Sequence, residues 1–195
     1  GRYGTTVTDA AFMTSRDGVT FQRWGEAFIR PGPATKDAWG YGDNFIFWGM
    51  IQTKSHLEGA ADDISLYATE GYWQGESTSF RRYTLRQDGF VSATAGWKGG
   101  RLQTKPIVFD GTQLELNFAT SVAGSIRVEI QDTDGKPLDG FSLADCPEVF
   151  GDTIARTVVW KDDSKDVSSL AGKPVRLLFE LKDADLYSFR FGGDE

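Results

Sequence analysis

At 195 residues the chain is long enough for one large all-β domain, or for a small one and part of another. Its 21 Lys and Arg against 28 Asp and Glu give a net charge of −7, which argues against nucleic acid or an anionic membrane as the main partner. Gly is abundant at 23 residues, aromatics reach 13 %, and no run of 18 apolar residues provides a membrane-crossing helix.

The first elements come from a motif that occurs twice. Phe12-Met13-Thr14-Ser15-Arg16-Asp17-Gly18 leads into Phe21-Gln22-Arg23-Trp24, and Leu66-Tyr67-Ala68-Thr69-Glu70-Gly71 leads, after a longer turn, into Phe80-Arg81-Arg82-Tyr83. The two copies lie about 54–59 residues apart, a spacing found in propeller blades and other sheet repeats. Acid-Gly is a tight-turn dipeptide, because Gly supplies positive φ without steric cost. Each copy therefore reads as a hairpin. Between them, Arg30-Pro31-Gly32-Pro33-Ala34 is a rigid loop, followed by the Gly-rich Trp39-Gly40-Tyr41-Gly42-Asp43-Asn44. The run Phe45-Ile46-Phe47-Trp48-Gly49-Met50-Ile51 is apolar on both faces and is expected to be a strand buried on both. Residues 54–62 form a polar loop, 63–69 a strand, and 72–79 a Gly/Ser/Thr connection carrying Tyr72 and Trp73.

From about residue 84 shorter strands alternate cleanly between Gly and Asp turns. Leu114–Phe118 and Ile126–Ile130 each place apolar side chains on one face, and Asp134-Gly135 closes a hairpin after the second. Residues 157–160, 175–181 and 186–191 continue the pattern, with Trp160 in the core. About eight short strands with one apolar face each predict a two-sheet sandwich, since a lone sheet would leave that face wet. Val167-Ser168-Ser169-Leu170-Ala171-Gly172 fits one helical turn ended by its Gly, and no longer helix is expected. The lone Cys146 excludes an intramolecular disulfide and reads as a small buried apolar residue. The chain begins with Gly1 rather than Met, which reads as a processed product or a piece of something longer.

Ser15-Arg16-Asp17-Gly18 with Phe21 and Trp24, then Tyr41-Gly42-Asp43-Asn44 opening an apolar run, resemble the last portion of the five-bladed propeller of invertase/fructanase and arabinanase glycoside hydrolases. The stretches Arg81–Ser92, Gly124–Ile130 and Asp183–Phe189 look like the β-sandwich that follows such propellers. The resemblance implies an all-β chain: a propeller-blade-like antiparallel sheet over residues 1–83, then a jelly-roll-type antiparallel β-sandwich over 84–195. It also implies a secreted or periplasmic carbohydrate-active enzyme whose propeller precedes this region. Family members work by two carboxylates on the earlier blades. None of their motifs occurs here, so no catalytic residue is assigned and the expected role is to support the propeller and hold polysaccharide.

The candidate carbohydrate contacts are Trp97, flanked by glycines, with Trp73, Tyr72, Trp39 and Tyr41 as further rings for stacking on a sugar face. Asp43 and Asn44 offer contacts to sugar hydroxyls, against a turn that hydrogen-bonds its own backbone. The alternatives are a glycoside hydrolase using an unrecognised pair, Asp43 with Glu70, and a protein-interaction sandwich. No cofactor or metal is expected. Asp132, Asp134 and Asp139 raise Ca²⁺, but Asp132-Thr133-Asp134-Gly135-Lys136 lacks a downstream bidentate Glu and reads as a hairpin turn. Asp162, Asp163 and Asp166 offer a second acidic cluster that a solvated loop explains equally well, and the single His56, in a polar loop with neither a nearby Cys nor a second His, argues against a His-based zinc site or a Ser-His-Asp triad.

Overall fold

The structure, a computed structural model, describes residues 6–33, 39–72 and 78–193. It is all-β with antiparallel pairing throughout the described strands. The chain divides into two compact units, Gly1–Leu85 and Arg86–Glu195.

In the first unit both copies of the repeated motif are hairpins. Strands β1 (Ala10–Ser15) and β2 (Phe21–Ile29) pair from Ser15↔Phe21 outward. Their turn is tied by Asp17, whose Oδ1 accepts N–H bonds from Val19 (2.9 Å) and Thr20 (2.7 Å) and the Ser15 hydroxyl (2.9 Å). These donors, the Thr20 N–H first, hold the Asp17 carboxyl far below the usual carboxylate range. Strands β3 (Ile51–Thr53), β4 (Asp63–Glu70) and β5 (Ser79–Leu85) form a separate three-stranded sheet in that order.

The segment 45–51 departs from the expected doubly buried strand. It touches β4 through the single bridge Ile46↔Ala68, then leaves the ladder and re-pairs at Ile51↔Ser65. Five residue steps on one side thus face three on the other, and the excess bulges out at Trp48-Gly49, with Gly49 at φ 98°. Phe45, Phe47, Trp48, Met50 and Ile51 are all exposed. An apolar run specifies a preference for burial, while the covering layer must come from elsewhere in the fold. Among the described residues, few apolar side chains of this unit are buried: Ile29, Leu66 and Ala68.

The second unit carries the main core. Its sheet has the order β6-β10-β8-β9, with β6 at Ala93–Ala95, β8 at Gln113–Gln131, β9 at Asp152–Thr157 and β10 at Arg176–Gly192; β7 (Gly100–Gln103) also pairs with β10. The two short strands expected at 114–118 and 126–130 are halves of one long β8, and 175–181 and 186–191 are likewise joined in β10. Both long strands fold at the same level. The register runs Lys182↔Ser125 and resumes at Ala184↔Thr120, so four residues, Ser121–Gly124, face Asp183 alone. Asp183 sits at φ 43°. A straight strand would hold Phe179 and Phe189 about 33 Å apart; their ring centroids are 5.4 Å apart. The sheet therefore curls into a half-barrel, sandwich-like in cross-section, around one shared core.

Leu114, Leu116 and Phe118 from one half meet Ile126, Val128 and Ile130 from the other, together with Leu177, Phe179 and Leu181. Ile126 and Ile130 find backbone partners on the β8 edge facing away from β10, at Val149 and at Leu138 and Phe141. Val128 between them uses side chains instead. Its N–H is accepted by Cys146 Sγ at 3.3 Å and its carbonyl accepts from Trp160 Nε1 at 2.9 Å. This is why a buried Cys and a buried Trp stand at those two positions. Burial pushes the Cys146 thiol upward, which fits a packed sulfur rather than a nucleophile. Ser168–Leu170 forms the expected helical turn, of 3-10 type, with Gly172 at φ 74° beyond it.

Candidate functional site

The outer face of β7, β10 and β8 follows directly from alternation. Leu181 and Ile126 point into the core, so their neighbours Glu180, Lys182, Ser125 and Arg127 point out. Register sets Arg101, Glu180 and Arg127 side by side across three strands. Arg101 reaches Glu180 Oε2 with Nε (3.0 Å) and Nη2 (2.6 Å), while Arg127 Nη2 reaches Glu148 Oε1 at 3.0 Å. The result is a ladder of alternating charge. The Nε donor of Arg127 is buried without an acceptor among the described residues.

At one end of this ladder, β6 and β7 are joined by the turn Gly96-Trp97-Lys98-Gly99, closed by the Gly99 N–H donating to the Gly96 carbonyl at 2.9 Å. The turn projects Trp97 outward, leaving it 63 % exposed. Lys182 Nζ lies over the indole, 4.3 Å from the ring centroid. Together these side chains line a groove of about 450 Å³, within the size range of small-ligand sites.

The remaining sequence candidates that the structure describes belong to the first unit, where Tyr41, Asp43, Asn44 and Tyr72 come together. Asp43 is 2 % exposed, and its carboxylate accepts the Gly40 N–H at 3.1 Å and the Tyr72 N–H at 2.8 Å. Asn44, at φ 61°, donates from Nδ2 to the Thr8 carbonyl (2.9 Å) and from its backbone N–H to Thr69 (2.8 Å). Both side chains latch the turn to neighbouring segments. Tyr41 and Tyr72 flank Phe45 at 6.1 and 6.4 Å. Trp39 is half exposed and its Nε1 donates to the Gly32 carbonyl at 3.0 Å. Trp73 lies outside the described residues.

Glu70 accepts from Arg81 Nε and from the Tyr83 hydroxyl. The Arg81 hydrogen bond, aided by Tyr83, holds its carboxyl below the usual glutamate range. That is opposite to what a general acid needs. Asp132 spends its Oδ1 on the N–H groups of Asp134 and Lys136, both at 2.9 Å, as a hairpin turn does. Asp166 accepts the Ser168 N–H at 2.8 Å. Among the described residues no group of three or more His, Cys, Asp or Glu side chains is placed to hold a metal ion.

Sequence reasoning singled out Trp97 but missed Lys182, Arg127, Glu148, Arg101 and Glu180. The available signal was weak: charged residues at outward positions of strands far apart in the chain. No family model, curated protein or solved structure matches this chain.

Proposed function

We propose that the chain is a non-catalytic region of a carbohydrate-active, glycoside hydrolase-like protein, in which the second unit binds polysaccharide. One observation carries the reading: an exposed Trp97 ring standing at the end of a polar groove on the outer face of β7, β10 and β8. A sugar presents a C–H face that packs on an aromatic ring and hydroxyls that hydrogen-bond side chains such as those along the ladder. The groove carboxylates Glu148 and Glu180 are each engaged by an arginine, an arrangement suited to orienting a ligand. The setting in which such a protein meets polysaccharide is secreted or periplasmic.

The hydrolase alternative based on Asp43 and Glu70 is less favoured, because each carboxylate is engaged by structural donors. A second reading is favoured by a different observation. Phe47 and Phe80 stack edge to face with centroids 4.9 Å apart on the exposed surface of the first unit, beside the fully exposed Trp48. Exposed clusters of this kind are sites for a protein neighbour, which in this reading is the preceding propeller that the first unit supports.

Affinity electrophoresis through gels containing plant and algal glycans tests the binding role. Retardation by at least one glycan, relieved in Trp97→Ala, is expected. Free migration on every glycan refutes carbohydrate binding and leaves the protein-neighbour reading.

A further inference from the structure

We propose that the Trp97 groove takes a glycan whose sugar rings carry anionic groups, a carboxylate or a sulfate ester. The inference rests on the carbohydrate-binding reading above and narrows its ligand.

The charge of the groove runs against that of the chain. Lys98, Arg101, Arg127 and Lys182 face two carboxylates, Glu148 and Glu180, so four cations less two anions leave a formal +2 within a chain of −7. The two carboxylates are already taken by Arg101 and Arg127. Lys98 and Lys182 are left without a carboxylate partner among the described residues. Lys182 sits where a ligand must touch it, because its ammonium lies over the indole that the sugar would stack beside. A neutral sugar laid there strips water from a cation and returns hydroxyl hydrogen bonds but no opposite charge. A carboxylate or sulfate returns a charge-assisted hydrogen bond in its place. Nucleic acid fits less well: it is read by several stacked aromatics along a basic track, and this groove has one ring and interleaved carboxylates.

The test is calorimetric titration of the full chain with four probes: an oligogalacturonate, a sulfated galactan oligosaccharide, a neutral arabino-oligosaccharide and a single-stranded oligonucleotide. Wild type is compared with Trp97→Ala, Lys182→Gln and the remote Lys105→Gln, each checked for folding by circular dichroism. One or both acidic sugars should bind at least about tenfold more tightly than the neutral one, as a charge-assisted bond implies. Lys182→Gln should lose roughly fivefold on the acidic sugar, the scale of an exposed charge pair, and nothing on the neutral one. Lys105→Gln should behave as wild type. At about 1 M salt, where screening extends over about 3 Å, the acidic preference should collapse. Which acidic sugar wins identifies the anionic group. Equal binding of neutral and acidic sugars with Lys182→Gln silent overturns this inference and leaves carbohydrate binding standing. Binding of none of the sugars overturns both. Tighter binding of the oligonucleotide than of any sugar, lost in Trp97→Ala, also overturns it in favour of a nucleic-acid site.

Discussion

Replacing Trp160 by Phe separates the two things its indole does in the core. The side chain is 1 % exposed, stands edge-on to Phe141 with centroids 5.3 Å apart, and donates from Nε1 to the Val128 carbonyl. Phe keeps a ring and the contact with Phe141 but has no donor. The Val128 carbonyl faces away from β10, toward Trp160, so the substitution leaves it buried without this partner. Such an orphan costs about 1–3 kcal/mol, and the space of the distal part of the indole that Phe does not fill adds about 1 kcal/mol. The expected loss is therefore about 2–4 kcal/mol, against about 3–5 kcal/mol or more for Trp160→Ala, which also removes the ring. Urea titration followed by far-UV circular dichroism measures it, using the transition of the second unit if the two units unfold separately. A Trp160→Phe protein within about 0.5 kcal/mol of wild type, the range of an ordinary surface substitution, would refute the claim that the indole completes the hydrogen bonding of Val128.

Trp97→Ala should change the stability read from the same urea transition by no more than about 0.5 kcal/mol, because an exposed turn residue supports little core; a large loss would place Trp97 in a structural role. Asp43→Ala removes the acceptor of two N–H groups around a buried turn and should destabilise the first unit by about 2–4 kcal/mol, read from its own unfolding transition. Glu70 has a depressed folded-state pKa, so its contribution is present above the unfolded value, about 4.3, and is lost as pH falls through the lower folded value. The wild-type urea midpoint should accordingly drop more steeply below about pH 4.3 than that of Glu70→Gln, and parallel curves would count against the Arg81–Glu70–Tyr83 contact. At Gly124 an added Cβ would overlap the carbonyl oxygens of Lys182 and Asp183 where β8 and β10 fold. Gly124→Ala should cost about 1–3 kcal/mol of thermal stability in calorimetry, as overpacking does, and a neutral outcome would show that the bend has room.

Alternation in the sequence was enough to determine an antiparallel all-β chain, the inward faces of 114–118 and 126–130, the hairpin at Asp134-Gly135, the turn ending near Gly172, and the burial of Trp160. These are local properties, set by the two-residue period of strands and by which residues tolerate positive φ. Three matters were decided only by tertiary structure. Two pairs of short strands proved to be two long ones, because a strand's fold-back depends on what its partner does at the same level: four residues, Ser121–Gly124, against Asp183. The apolar run at 45–51 lies exposed, because hydrophobicity states a preference and the fold supplies or withholds the cover. The groove joins Trp97 to Arg127, Glu148 and Lys182 through strand order and register. Alternation says that each of these side chains faces outward, but only the hydrogen-bonded pairing of distant strands says which of them stand next to one another.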